Sequence, residues 1–160
     1  MILVLMGVCG CGKSTVGEAL AQAMGCRFLD ADDFHPPANV EKMAAGVPLT
    51  DDDRWPWLDR IAEELESILR GGEHGVLACS ALKEAYRARL ERAGDVRIVY
   101  LKGDQATIAA RLAARQHQYM PPSLLPSQFA ALEEPAGALV VDIREPVVAQ
   151  VQFIREAFSL

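Results

Sequence analysis

The sequence predicts a three-layer α/β/α fold, in which helices cover both faces of a mostly parallel sheet of five strands. Two observations carry this prediction. Short apolar runs alternate along the chain with segments whose apolar residues recur at helical spacing. Several of these runs lack polar alternation, which is typical of parallel strands that are buried on both faces. The predicted strands are residues 2–6, 27–30, 75–79, 96–101 and 138–143.

The longest helical pattern lies between the second and third predicted strands. It follows Thr50, which can serve as an N-cap, and three aspartates that suit the first turn of a helix. Gly71 and Gly72 mark its end. Its apolar residues at helical spacing are Trp57, Leu58, Ile61, Leu65, Ile68 and Leu69. Shorter patterns predict further helices around residues 82–90, 108–112 and 147–158.

Length and composition limit the classes of function. The 160 residues fit a single domain spanning 1–160. A net charge of −6 argues against nucleic acid binding, which needs a basic surface stripe. No run approaches the roughly 20 apolar residues of a membrane-spanning helix, and no basic leader precedes the first apolar run. The four cysteines lack the paired spacing of a zinc site, so we expect a cytoplasmic protein with free thiols.

The segment after the first predicted strand reads Gly-Val-Cys-Gly-Cys-Gly-Lys-Ser and matches the phosphate-binding pattern GxxxxGK[ST], with a helix predicted to follow. Its glycines let successive backbone N–H groups point at one anion, and the helix start adds a positive dipole end. Lys13 would meet the β- and γ-phosphates of ATP, and Ser14 would offer a hydroxyl to Mg²⁺. The predicted ATP-binding residues of this loop are Gly7, Val8, Cys9, Gly10, Cys11, Gly12, Lys13, Ser14 and Thr15.

Other features favour a small kinase of the P-loop type over other nucleotide-binding proteins. No Asn-Lys-x-Asp segment for reading guanine is present, and the third predicted strand ends in Cys79 and Ser80 without the acidic residue typical of mechanical ATPases. Prolines cluster between residues 117 and 135. Such a stretch inside a compact domain is often a functional lid, and we predict a lid over about residues 112–135.

Acidic residues end the second predicted strand. Because the carboxyl ends of parallel strands face the ligand crevice, Asp30 and Asp32 should open toward the phosphate-binding loop from the neighbouring strand. We predict that Asp30 binds the magnesium ion and that Asp32 accepts a proton from the attacking hydroxyl. The alternative is that the two aspartates only cap a loop or the next helix. The same alternative applies to His35, a predicted substrate-binding residue.

The chain resembles the gluconokinase family along essentially its whole length. The resemblance rests on segments 28–36, 39–43, 46–57, 79–83, 100–103, 111–117 and 128–135. The most specific strings are Asp-Asp-Asp-Arg-x-Pro-Trp, which ends at Trp57, and Cys-Ser-Ala-Leu-Lys, which ends at Lys83. The resemblance implies ATP-dependent phosphorylation of D-gluconate to 6-phospho-D-gluconate with Mg²⁺, and it suggests a homodimer.

The resemblance also assigns roles to individual residues. It implies that Arg54, Lys83 and Arg87 face the sugar acid, and that Arg111 and Arg115 lie near the triphosphate. The predicted catalytic residues are Lys13, Asp32, Arg54 and Arg115. The predicted substrate-binding residues are Asp32, His35, Arg54, Lys83 and Arg87. One departure is that Cys9 and Cys11 stand where family members usually carry Ser, and a helix start and a nearby lysine would depress a thiol pKa there.

The residue types themselves support an anionic acceptor but leave alternatives open. Arg54 can bind a carboxylate in bidentate fashion, or it can be an arginine on the helix surface. Lys83 and Arg87 are four residues apart, which suggests a shared anion or a solvated helix face. The two tryptophans are expected to pack rather than to stack on a sugar. A kinase for another hydroxy acid, such as shikimate, and a regulatory nucleotide-binding module are the competing functions.

Overall fold

The structure is a computed structural model, and it describes residues 1–114 and 124–160. Its described residues form one sheet of five strands in the order β2-β3-β1-β4-β5, and every neighbouring pair is parallel. The strands are β1 Ile2–Met6, β2 Arg27–Asp30, β3 Gly75–Ala78, β4 Val96–Lys102 and β5 Leu139–Asp142. The predicted α/β fold is therefore confirmed, and each strand agrees with its predicted range to within one residue at either end.

Helices flank the sheet between these strands. They are α1 Lys13–Met24, α2 Pro37–Ala44, α3 Asp51–Arg70, α4 Glu84–Glu91, α5 Gln105–Ala114, α6 Leu125–Ala131 and α7 Val147–Ala157, with a short 3₁₀ helix at Ala31–Phe34. The sequence patterns did not predict α2, α6 or the 3₁₀ helix. Both α2 and α6 are short and have a proline in their first turn, where the missing N–H costs nothing. Among the described residues, no helix has both the length and the apolar character needed to cross a membrane.

Strand β1 divides the core into two layers. Its five residues are fully buried, and they alternate between two hydrophobic clusters. Ile2, Val4 and Met6 join the cluster that contains α3 and α4 residues, whereas Leu3 and Leu5 join the cluster formed with α1, α5 and α7. Helices therefore pack on both faces of the sheet, as the unalternating apolar strands predicted.

The strand register brings three chain segments to one edge of the sheet. Ala78 at the end of β3 pairs with Leu5 of β1 on one side and with Asp30 of β2 on the other. The chain that leaves β1 enters the phosphate-binding loop, and the chain that leaves β2 enters the 3₁₀ helix. The predicted nucleotide and acidic segments therefore leave the same end of the sheet. The expectation that they leave neighbouring strands is wrong, because β3 lies between β1 and β2.

Helix α3 begins with the capping arrangement that its sequence predicted. The Thr50 hydroxyl accepts a hydrogen bond from the Asp53 N–H at 3.1 Å, and the Asp53 carboxylate accepts one from the Thr50 N–H at 2.9 Å. The ammonium of Lys42 also donates to that carboxylate at 2.7 Å. These bonds hold the pKa of Asp53 at about 2, with the Lys42 hydrogen bond as the largest cause. The cap fixes the first turn of α3, which carries Arg54.

Replacing the cap should lower the stability of the fold. We expect Thr50→Ala to cost about 1 kcal/mol of unfolding free energy, because the Asp53 N–H loses its acceptor. In a domain of this size that corresponds to a fall in Tm of about 2–4 °C, measurable by differential scanning calorimetry. Ser67→Ala, at an exposed position inside the same helix, is the control and should leave Tm nearly unchanged. Equal melting of Thr50→Ala and the unmutated protein would contradict this role for the cap.

Candidate active site

A crevice with a volume of about 260 Å³ lies at the carboxyl ends of the strands. It contains the phosphate-binding loop, the acidic pair and the end of β3. Its lining residues are Cys9, Gly10, Gly12, Lys13, Ser14, Asp30, Asp32, Ala78, Cys79, Ser80, Leu112 and Gln128. The structure thus brings together the two segments that the sequence singled out for nucleotide and acceptor chemistry. A larger groove, of about 540 Å³, lies beside Arg87 and contains none of the phosphate-loop residues.

The phosphate-binding loop depends on glycine at two positions for different reasons. Gly10 has a φ of +85°, and a Cβ there would lie 2.8 Å from the side chain of Leu112. Gly12 has a φ of +96° as the residue before helix α1, although nothing would contact a Cβ there. Backbone conformation therefore requires glycine at both positions, and close packing on helix α5 also requires it at Gly10.

Carbonyl oxygens of the phosphate-binding loop bind the side chain of Lys13, which belongs to the same loop. The Lys13 ammonium donates to the carbonyl oxygens of Gly7 at 3.0 Å and Val8 at 3.1 Å. Ser14 and Thr15 are exposed in the first turn of α1, where the backbone N–H groups have no partner within the helix. The result is one positive side chain and a positive helix end at the same wall of the crevice.

The acidic pair combines a structural and a chemical role. The Asp30 carboxylate accepts a hydrogen bond from the Asp32 N–H at 3.0 Å, so Asp30 does cap the 3₁₀ helix, as the alternative interpretation held. It also lines the crevice, so capping does not remove it from the site. Desolvation by the crevice walls and then the charge of Asp30 raise the pKa of Asp32, while Lys13 opposes them. Asp32 keeps an exposed surface, and a raised pKa makes it a stronger proton acceptor.

Oxygen ligands suited to magnesium meet in this crevice. The Ser14 hydroxyl and the carboxylates of Asp30 and Asp32 all line it. Within residues 1–114 and 124–160, no group of three or more His, Cys, Asp or Glu side chains could hold a metal ion by itself. Mg²⁺ in kinases is held by one or two protein oxygens together with water and substrate phosphates. The residues present therefore fit a magnesium ion that arrives with the nucleotide.

The predicted acceptor-side cations converge on one aromatic ring. The Arg54 guanidinium carbon and the Lys83 ammonium lie 5.5 and 5.7 Å from the centre of the Tyr86 ring. Both also approach the Asp51 carboxylate, at 3.5 and 3.9 Å. The Tyr86 hydroxyl donates to that carboxylate at 2.5 Å. Sequence reasoning gave Asp51 and Tyr86 no part in the site, because they are 35 residues apart and only the packing of α3 on α4 joins them.

Hydrogen bonding sets the charges within this cluster. The hydrogen bond from Tyr86, followed by the charges of Lys83 and Arg54, lowers the pKa of Asp51. Burial and the same hydrogen bond raise the pKa of Tyr86 to about 12. At neutral pH the cluster therefore holds a neutral phenol, one carboxylate and two cations. Its net positive charge suits an anionic group on a substrate.

The structure corrects the shared-anion argument for Lys83 and Arg87. Lys83 is the N-cap residue that precedes α4, so the two side chains do not form an i,i+4 pair on a helix face. Arg87 is 5% exposed and, like Arg54 and Lys83, does not line the crevice itself. Its guanidinium donates to the carbonyl oxygens of Ala81 at 2.8 Å, Leu82 at 3.1 Å and Glu133 at 2.8 Å. These contacts give Arg87 a structural role at the start of α4, and its predicted role in substrate binding stays a prediction.

His35 and the tryptophans pack near the acceptor side. The His35 ring stacks on Trp57 with centroids 4.2 Å apart, and the Trp57 N–H donates to the Ala31 carbonyl at 2.7 Å. Burial and then the charge of Arg54 lower the pKa of His35, so its ring is neutral at neutral pH. Trp57 is buried in the core, which confirms that it packs; Trp55 lies edge-on to Tyr86. His35 directly follows the 3₁₀ helix that carries Asp32.

The structure describes only part of the segment that the sequence predicts as a lid. Arg115 lies outside the described residues, so its predicted role stays a prediction. Arg111 donates a hydrogen bond to the carbonyl of Ile143 at the end of β5. Leu125 of α6 is buried in the core, and Gln128 of the same helix accepts a hydrogen bond from the Cys9 N–H at 2.6 Å. Sequence reasoning missed Gln128 as a site residue, although it lies in one of the segments that carry the family resemblance.

Comparisons with known proteins agree with this geometry. A family described as an AAA domain matches residues 2–135. The thermosensitive gluconokinase of Escherichia coli (strain K12) is 39% identical over 159 residues, covering 96% of this chain and 85% of that protein. The gluconokinase of Gluconobacter oxydans (strain 621H) is 50% identical over 135 residues, covering 83% and 75%.

Solved structures show the same relationship. The crystal structure of a gluconokinase from Sinorhizobium meliloti 1021 has a TM-score of 0.84 and 44% sequence identity, covering 94% of this chain and 86% of that one. A shikimate kinase from Bacteroides thetaiotaomicron has a TM-score of 0.72 at 19% identity, which shows a shared fold alone. The identities of 39–50% to curated gluconokinases extend over most of both chains. This chain therefore belongs to the gluconokinase family.

Proposed function

We propose that this chain transfers the γ-phosphoryl group of ATP to D-gluconate, which gives ADP and 6-phospho-D-gluconate. The observation that carries the proposal is a single crevice that joins a phosphate-binding loop to a carboxylate of raised pKa, with a cation pair on the neighbouring helices. The names of the relatives supply the sugar acid. The Arg54–Lys83 pair supplies the physical reason for an acidic substrate.

The donor side positions the triphosphate. The loop N–H groups and the start of α1 bind the phosphates, and Lys13 moves from the loop carbonyls to the transferring group. Ser14 and Asp30 would hold a magnesium ion, which neutralises charge on the triphosphate when it is bound. Arg111, in the last turn of α5, and Arg115 are proposed to add positive charge near the triphosphate.

The acceptor side positions the hydroxyl that attacks. Arg54 and Lys83 bind the carboxylate of gluconate above the Tyr86 ring, in place of part of their contact with Asp51. His35, neutral and stacked on Trp57, is proposed to contact the substrate as a wall or as a hydrogen-bonding group. Asp32 accepts the proton of the reacting hydroxyl as the phosphorus–oxygen bond forms.

We further infer a cytoplasmic homodimer. Both inferences rest on the resemblance to the gluconokinase family, and the unpaired spacing of the four cysteines in the sequence is consistent with a reducing compartment. Analytical ultracentrifugation measures the number of subunits directly. A mass of 17.4 kDa across a range of concentrations would identify a monomer and remove the dimer.

The proposed reaction is tested by an assay of ADP release over a panel of sugar acids. We expect gluconate to give the highest kcat/KM, shikimate to give none, and water alone to give only slow hydrolysis. EDTA should stop the reaction and excess Mg²⁺ should restore it, because the triphosphate charge needs the metal. Equal ADP release with and without any sugar acid would instead indicate a nucleotide-binding module, and preference for another hydroxy acid would replace gluconate.

Arg54 should act mainly on gluconate binding. Arg54→Ala removes a cation that binds a group remote from the reaction, so we expect KM for gluconate to rise about tenfold or more while KM for ATP stays nearly constant. Steady-state kinetics with each substrate varied provide the measurement. The control is Arg60→Ala, an exposed arginine of the same helix. Equal weakening of ATP and gluconate would place Arg54 on the nucleotide side.

Asp32 should increase the rate of the chemical step, and its negative charge should lower the stability of the fold. Asp32→Asn keeps the shape of the side chain but cannot take the proton, so kcat should fall by a factor on the order of 10². The control is Asp33→Asn, an exposed neighbour outside the crevice lining. In the active enzyme, the acidic limb of the kcat–pH profile should lie above the ordinary value of 3.8, because the folded pKa is raised.

The same pKa shift has a definite sign for stability. A raised pKa means that the folded state binds the Asp32 proton more tightly than the unfolded state does. Ionised Asp32 therefore destabilises the fold above its folded pKa, and this cost disappears as pH falls toward 3.8. Asp32→Asn should raise Tm at pH 7, with a smaller gain at pH 4. A lower Tm at pH 7 would show that Asp32 stabilises the fold.

A further inference from the structure

Helix α6 and the residues just after it contact both halves of the active site. At one end, the Gln128 side-chain oxygen accepts a hydrogen bond from the Cys9 N–H of the phosphate-binding loop at 2.6 Å. At the other end, Glu133 contacts the start of helix α4, directly after Lys83. Residues 128–133 therefore extend from the donor side of the crevice to the acceptor-side cation cluster.

Glu133 holds the start of α4 with three hydrogen bonds. Its N–H donates to the Leu82 carbonyl at 2.8 Å, its carboxylate accepts from the Glu84 N–H at 2.8 Å, and its carbonyl accepts from Arg87 at 2.8 Å. The first N–H groups of a helix have no partner within the helix, and the N-cap residue Lys83 makes no side-chain cap of its own. Glu133 therefore provides the missing cap and fixes the backbone from which Lys83 extends.

The stretch between the two contacts is firmly packed. Leu125 is 3% exposed, and Phe129 and Leu132 pack against the same core cluster. The Leu132 N–H donates to the Gln128 carbonyl at 3.0 Å and continues the helical bonding to the end of α6. A displacement of Gln128 would therefore be carried to Glu133, because packed helices move as units.

We propose that Gln128 and Glu133 are positioning residues that couple the nucleotide site to the gluconate site. Gln128 holds the phosphate-binding loop, Glu133 holds Lys83, and the packed stretch between them fixes their relative placement. The inference rests on the proposed function, since it concerns how the two substrates of that reaction affect each other. A nucleotide that shifts the loop also shifts the start of α4 through this packed stretch, so Lys83 takes the position that binds gluconate more tightly when the nucleotide is bound. By linkage, gluconate tightens nucleotide binding by the same factor.

The test is the ratio of the Kd of gluconate without and with a non-hydrolysable ATP analogue and Mg²⁺, measured by isothermal titration calorimetry. We expect gluconate to bind about fivefold or more tightly to the analogue complex of the unmutated protein. Gln128→Met has nearly the same size but cannot accept the Cys9 hydrogen bond, and Glu133→Ala removes the cap of α4. Each substitution should bring the ratio close to one. Glu133→Gln keeps an oxygen for the Glu84 N–H and should restore most of the ratio.

Matched controls separate coupling from a general loss of stability. Glu134→Gln alters the neighbouring carboxylate, which pairs with Lys102 and Tyr100 of β4 instead of α4. Gln152→Met alters an exposed glutamine of α7 that bonds to Glu156. Both control variants should keep the ratio of the unmutated protein, even where a thermal melt shows a lower Tm.

Three results would overturn the inference. The first is a ratio of one in the unmutated protein, and the second is an unchanged ratio in Gln128→Met, which tests the inference even if Glu133→Ala fails to fold. The third is loss of the ratio in the controls as well. If the unmutated protein releases ADP with gluconate but its ratio of Kd values is one, the proposed function stands and the coupling is rejected. If the unmutated protein neither binds nor phosphorylates gluconate, both the proposed function and the coupling are rejected.

Discussion

The site depends on the parallel pairing of β1 with β3 and of β3 with β2. That register places the ends of three strands on one line, with Ala78 between Leu5 and Asp30. Strand β1 is buried on both faces, so its position is set by the two core clusters and cannot adapt to the loop that follows it. A slip of one residue would exchange the two faces of β1 and turn its side chains into the wrong clusters. The hydrophobic effect thus determines where the phosphate-binding loop begins.

Features that are local in sequence could be predicted, and features that depend on packing could not. The loop follows β1 and the acidic pair begins at the last residue of β2, and both strands are recognisable in the sequence. A parallel sheet brings both segments to one end, but the sequence did not reveal that β3 lies between them. The Asp51–Tyr86 hydrogen bond joins the first turn of α3 to the first turn of α4, and no spacing in the sequence reveals it. The spacing of Lys83 and Arg87 misled because a helix was assumed to include both, whereas α4 begins at Glu84. One residue at a helix boundary decided whether two cations shared a face.

Local arrangement of charge lets an acidic chain bind two anionic substrates. The net charge is −6, yet Lys13 lies against neutral carbonyl oxygens and the pair Arg54 and Lys83 outnumbers its one carboxylate, Asp51. Asp51 is exposed, and ion pairs at such positions are worth only about 0–1 kcal/mol. A substrate carboxylate can therefore take over these cations at little cost. Asp51 meanwhile keeps the two like charges close together, which their mutual repulsion would otherwise oppose.

The positions of the side chains explain why the phosphate-binding loop can carry cysteine at residues 9 and 11. Cys11 is fully buried, and its sulfur belongs to the cluster that contains Val8 and Val16. A serine, which the family resemblance leads us to expect at this position, would place a hydroxyl in this cluster, whereas a thiol packs there as a small apolar group. The Lys13 ammonium, 3.9 Å from the Cys11 sulfur, is a polar neighbour for either group. The backbone N–H groups that face a phosphate are the same for either residue. The change at Cys11 therefore alters the packing beneath the loop and leaves its anion-binding surface intact.

Cys9 is half-buried, and the bond that its backbone makes to Gln128 is likewise independent of its side chain. Both substitutions are thus compatible with phosphate binding, because the loop binds anions through its backbone.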